Sequence, residues 1–143
     1  MALIKNPEDL RKLRQSGKRL SAVLRAVVKE VKPGVSAKYL DDLAERLIRE
    51  GGDEPAFLNY RPRGASRPYP ATLNVSINDE VVHGIPNEKE KILKDGDIVL
   101  LDTGLYHEGI YTDMAVTVPV GEVNKEGLRL IEVTKNALLA GIK

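Results

Sequence analysis

Apolar positions in the first third of the chain recur at helical spacing. Leu10, Leu13, Leu20, Val23, Leu24, Val27 and Val31 fall on one helix face. Asn6 suits an N-cap, Pro7 the first helical position, and Glu8 and Asp9 the turn where the helix dipole favours acids. The helix is predicted to end near Lys32, Pro33 and Gly34, because proline lacks an N–H and restricts its predecessor. Ser36 starts a second helix with a stripe of Leu40, Leu43, Leu47 and Ile48, stopped by Gly51 and Gly52. Periodicity is then lost over residues 53–71. The prolines, arginines and glycine between Arg61 and Pro68 predict an irregular connection, either a plain surface connector or a rim over a site.

Strands are expected near 73–77 and 97–102. Ile98 and Leu100 face opposite to Val99 and Leu101, so this strand is covered on both faces, or one face is covered and the other lines a cleft. A tight turn near His107, Glu108 and Gly109 sends residues 110–118 back as an antiparallel strand. A last helix starts near Asn124 or Lys125, with Leu128, Ile131, Leu138 and Leu139 as its apolar face. This order predicts an α+β fold with helices packed on a largely antiparallel sheet. A faint echo between residues 24–34 and 137–143 is compatible with an internal duplication.

At 143 residues the chain is long enough for one domain with a core, and 42% hydrophobic with 30% charged residues is ordinary for a globular protein. Cysteine is absent, which excludes disulfides, a thiolate nucleophile and sulfur-ligated zinc, and suits an intracellular setting. No apolar run reaches membrane length and no signal-peptide core opens the chain. The net charge of +1 exerts no global pull on nucleic acid. Residues 1–32, however, hold nine Lys/Arg against three Asp/Glu. A solvated helix face and a contact with an acidic surface such as RNA both remain open for that segment.

The chemistry concentrates in the middle of the chain. A hairpin folded about His107 and Glu108 sets Asp102 directly opposite Asp113, and a turn shifted by one residue, or a bulge, would change that register. Two close carboxylates repel, so one tends to hold a proton unless a cation neutralises them, and a divalent metal pair resolves the repulsion. The alternative is two ordinary strand-end aspartates. Thr112 either orients a carboxylate or fills a β position. His83 is either a satisfied structural histidine or a donor to a substrate oxygen. His107 reads as a turn residue. Ser76 and Asn78 either receive a substrate amine or fix the local backbone. Phe57, Tyr60 and Tyr69 could form an apolar pocket or simply pack. No glycine-rich nucleotide loop and no serine-nucleophile motif is present.

Taken together, Ser76-Ile77-Asn78, Val81-Val82-His83-Gly84-Ile85-Pro86, Leu93-Lys94-Asp95-Gly96-Asp97-Ile98-Val99, Asp102 and Asp113 resemble type I methionine aminopeptidase. The resemblance covers the whole chain but only the N-terminal half of a typical family member. It implies residues 1–143 are a single half-domain of the pita-bread fold. It further implies that Asp102 binds one metal through both oxygens, that Asp113 bridges two, and that His83 is the catalytic histidine beside the scissile bond. Tyr69, with Phe57 and Tyr60 as neighbours, would line the pocket for a methionine side chain. Asn74 stands where the family often has a small or sulfur-bearing residue. The implied reaction is metal-assisted hydrolysis of the initiator methionine from a peptide or nascent protein, with two divalent ions of cobalt, manganese, iron or zinc. One histidine and two glutamates from the second half normally complete the metal site, and none has a matching position here. A missing C-terminal half, a companion chain or self-association is therefore expected as partner. The basic first helix suits a ribosome contact in the cytoplasm. The competing expectation is a noncatalytic half-domain that serves binding or assembly.

Overall fold

The computed structural model describes residues 4–142. Helix α1 spans Pro7–Lys29, and the Asn6 side chain accepts from the Asp9 N–H as its cap. It stops at Glu30, ahead of Pro33, and buries Ser16, Leu20, Val23, Leu24 and Val27. Leu10, expected on the buried face, is exposed. Helix α2 spans Ala37–Glu50, capped by Ser36 and ended at Gly51, and buries Leu40, Leu43 and Ile48 together with Ala37 and Ala44.

One sheet follows. Strands β1 (Glu54–Pro55), β2 (Leu73–Ile77), β3 (Ile98–His107) and β4 (Ile110–Pro119) all pair antiparallel. β3 is central: β4 runs along one edge, and β2 and β1 follow each other along the other. The short β1 within the irregular stretch was not expected. Helix α1 lies on β3 and β4, and α2 lies on β2 and β1. Their apolar stripes meet Leu73, Val75, Val99, Leu101 and Leu105 to form the core.

Burial along β3 alternates, with Val99, Leu101, Thr103 and Leu105 buried and Ile98, Leu100 and Asp102 only partly covered. One face of the sheet therefore carries the helices, and the other bears the cleft. This decides between the two readings of the apolar run before Asp102.

The hairpin turn is Glu108–Gly109, and both residues have positive φ (45° and 89°), as a two-residue type I′ loop requires. The expected register is corrected accordingly. Asp102 faces Ala115, and Asp113 faces Gly104. The slip is two residues, so the two aspartates keep the same face as diagonal neighbours. His107 is corrected too: it is the last buried residue of β3, not a turn residue. Its Nδ1 lies 2.7 Å from Asp53 Oδ1, and Arg19 Nε donates to the other oxygen of Asp53 at 2.6 Å. This cluster ties α1 and the α2–β1 turn to the end of the sheet.

Helix α3 (Lys125–Ile142) forms where expected, but its apolar residues find no core: none is buried. Leu128, Leu138 and Leu139 are all exposed, and α3 meets the sheet chiefly along β4.

Candidate active site

The open face of the sheet floors a cleft of about 500 Å³. Its walls include Phe57, Tyr60, Tyr69, His83, Asp102 and Asp113, whereas Ser76, Asn78, His107 and Thr112 do not line it. Pro62, Ala65, Arg67 and Pro68 also line it, so the Arg61–Pro68 segment is a rim and not a detached connector. The two ends of this rim are joined where Tyr69 N donates to Tyr60 O at 2.8 Å. Arg67 forms an ion pair with Glu88 of the loop after His83. Tyr60 stands at the mouth, 62% exposed, whereas Tyr69 and Phe57 are half-buried.

Phe57 reaches the floor because Gly104 has no side chain. A Cβ there would sit 2.9 Å from both the Phe57 ring and the Ala56 Cβ. Gly104 is the β3 partner of Asp113, so the missing side chain leaves space beside that carboxylate.

The two carboxylates act on each other. Partial burial first, and the negative charge of Asp102 next, push the Asp113 carboxyl above the ordinary aspartate range. A shared hydrogen bond between the two acts in the same direction. Asp102 also accepts from Asn74 Nδ2 at 3.0 Å, and the Tyr69 hydroxyl donates to Asn74 Oδ1. Thr112 takes no part. It points to the opposite face, where its hydroxyl bonds Ser16 of α1 at 2.7 Å.

His83 is exposed and has a φ of 57°, a left-handed backbone held in place by Gly84. Gly84 O accepts from Val75 N at 2.8 Å, and Gly84 N donates to Ser76 Oγ at 3.0 Å. Ser76 thus fixes backbone. So does Asn78, which bonds Asp97 through Nδ2 and accepts from Ile98 N.

The donor set is two hard oxygen ligands on one face whose mutual repulsion a divalent cation would relieve. That fits a divalent metal, but only in part. Among the described residues no group of three His, Cys, Asp or Glu converges.

Residues 11–143 match the sequence profile of metallopeptidase family M24. The chain belongs to that family. Among the curated M24-type relatives it resembles, it is 42% identical to a methionine aminopeptidase of Aquifex aeolicus over 94% of this chain and 52% of the relative. It is 36% identical to methionine aminopeptidase 1 of Bacillus subtilis over its full length and 54% of that protein. A solved methionine aminopeptidase of Thermotoga maritima superposes with a TM-score of 0.88 at 37% identity, over all of this chain and 55% of that one. The Pyrococcus furiosus prolidase, at 18% identity and a TM-score of 0.76, shares the fold. This M24 chain therefore spans about half the length of the methionine aminopeptidases it matches, and its α+β architecture is half of the pita-bread fold.

Sequence reasoning missed Asn74 as a partner of Asp102, and Gly104 and Gly84 as the close approaches that shape the cleft. The first had a signal: an amide between Leu73 and Val75 in a buried strand needs a polar partner on the other face.

Proposed function

We propose that this chain supplies one half of the active site of a metal-dependent methionine aminopeptidase. The observation that carries the reading is the convergence of Asp102, Asp113, His83 and Tyr69 on one cleft. Asp102 and Asp113 hold divalent ions, two in the complete site. A bound divalent ion supplies Lewis acidity at the peptide carbonyl. His83 donates to the substrate near the scissile bond, where its exposed loop position gives it access. Tyr69 and Phe57 enclose the methionine side chain, and Tyr60 closes the mouth. The substrate is the N-terminus of a peptide or nascent protein with a small second residue. The cytoplasm, and a ribosomal surface for the basic α1, are the setting this reading assigns. A polypeptide carrying one further histidine and two glutamates completes the site, either as a C-terminal half or as a companion chain.

Release of methionine from Met-Ala-Ser tests the proposal. The chain is assayed with Co²⁺ or Mn²⁺, alone and mixed with the C-terminal half of a related enzyme. We expect negligible release alone, metal-dependent release on mixing, and its loss by at least a hundredfold in Asp102→Asn. A folded mixture that is inactive, or one unaffected by Asp102→Asn, would favour the binding-module alternative.

A further inference from the structure

Asn74 and Asp102 are direct Cα partners across β2 and β3, and their side chains share the cleft face. Asn74 is only 4% exposed, so both ends of its amide need partners. They have them. Nδ2 donates to Asp102 Oδ2 at 3.0 Å, and Oδ1 accepts from the Tyr69 hydroxyl.

The chemistry fixes which way the amide points. An ionised carboxylate only accepts, so it must meet the NH₂ end. The phenol hydroxyl donates to the end that is left. Tyr69 is itself held, because its N–H donates to Tyr60 O and its carbonyl accepts from Asn59 N, both at 2.8 Å. Rim, tyrosine, amide and carboxylate form one chain of hydrogen bonds, and Tyr60, Tyr69, Asn74 and Asp102 all line the same cleft as Asp113.

We infer that Asn74 is a positioning residue: it locks Asp102 in one orientation for a divalent cation and links that orientation to the wall of the substrate pocket through Tyr69. The inference rests on the metal-site reading above. Asp102 stands, partly buried, on the open face of the sheet. The Asn74 amide, from the strand on the side away from Asp113, fixes Oδ2 and uses one of the roughly four acceptor sites of the carboxylate, leaving others for a cation. Outer partners of this kind typically set metal affinity by about 10- to 100-fold. A substrate side chain pressing on Tyr69 acts on the same network, so pocket occupancy and ligand geometry are coupled. An apolar or sulfur-bearing residue at position 74 could not make both bonds.

The test uses the full 143-residue chain and begins without metal. Scalar couplings of the Asp102 side chain report its χ1 rotamer, and the Asn74 side-chain amide signals report its bond. Co²⁺ is then titrated, read by calorimetry and by its d–d absorption. Asn74→Leu conserves volume and removes both bonds. Tyr69→Phe removes one. We expect a single Asp102 rotamer in the parent and averaged rotamers in Asn74→Leu. The Co²⁺ Kd should rise about tenfold or more with a changed absorption band, and by a smaller factor in Tyr69→Phe. If Asn74→Leu does not fold, Asn74→Ser, too short to bridge both partners, carries the same comparison. A fixed Asp102 rotamer and a Kd within twofold in a folded variant would overturn the inference. Failure of the metal-site reading looks different: Co²⁺ uptake is absent, or unchanged in Asp102→Asn, while the metal-free couplings still decide whether Asn74 orients Asp102.

Discussion

Asp41 shows how a single charge can hold two layers together. It projects from α2, is 6% exposed, and accepts from the backbone N–H groups of Thr72 and Leu73 at 2.8 and 2.9 Å, where β2 begins. Burial pushes its carboxyl above the ordinary range, and the two hydrogen bonds pull the other way without prevailing. A folded-state pKa above the unfolded value means the titration contributes stability below the unfolded pKa, and that contribution is lost as pH rises through the folded pKa. Asp41→Asn keeps an oxygen acceptor and does not titrate. Its stability relative to the parent should therefore increase from pH 3.5 to pH 7 in urea unfolding. A flat difference would mean the buried charge is fully compensated. Asp41→Ala orphans two N–H groups and should cost roughly 1–3 kcal/mol or more at any pH. Nothing in the spacing of α2 reveals this role. Asp41 follows Leu40 and precedes Asp42, and only the tertiary approach of β2 makes it differ from its exposed neighbour. His107 was unreadable for the same reason: its partner Asp53 lies 54 positions away.

At the scale of elements, glycine positions separate close contact from mere flexibility. A Cβ on Gly84 would lie 2.3 Å from Val75 O and 2.7 Å from Ser76 Cα, both backbone atoms that cannot yield without moving β2. Gly84→Ala should lower stability by about 3 kcal/mol and displace the His83 loop. Gly17, inside α1, would meet nothing within 4 Å, so Gly17→Ala should gain roughly 0.5–1 kcal/mol from helix propensity alone. Thermal melts of the two variants should therefore move in opposite directions, and a stable Gly84→Ala would contradict the close packing under His83. The β-hairpin permits a similar comparison. Glu108 pays for a left-handed backbone at φ 45°, and its ion pair with Arg11 is long, at 3.9 Å, and exposed. Glu108→Asn should raise stability by about 0.5–1 kcal/mol, since asparagine tolerates that conformation. Both helix starts, α3 and the β3–β4 pairing were legible because caps, periodicity and turn residues are local signals. The register was legible only to its face. Centring the turn on His107–Glu108 or on Glu108–Gly109 changes the partner of Asp102 but, with a shift of two, not the side on which it stands.

For the molecule as a whole, the two sheet faces divide the work: one carries the core and the other the cleft, while the apolar stripe of α3 is left uncovered. Helix α3 illustrates the consequence. Its periodicity correctly predicted a helix, yet an apolar stripe says only that something should cover it, not that this chain does. Leu128, Leu130, Val133, Leu138, Leu139 and Ile142 are each 47–71% exposed. Side chains so exposed contribute little to the fold of the chain itself, and a surface change usually stays within about 0.5 kcal/mol. They contribute instead to association, because contiguous apolar surface is removed from water when two such faces meet. Leu138→Ser with Leu139→Ser should therefore leave the urea midpoint of a dilute sample nearly unchanged. The same double substitution should reduce self-association in sedimentation velocity at high concentration, and weaken complementation by the C-terminal half of a related enzyme. A large drop in the urea midpoint instead would mean that α3 is packed in solution and that the completing surface lies elsewhere, on the cleft face around Ile98 and Leu100. The two outcomes assign the join to different surfaces, the exposed apolar side chains of α3 or the cleft face of the sheet.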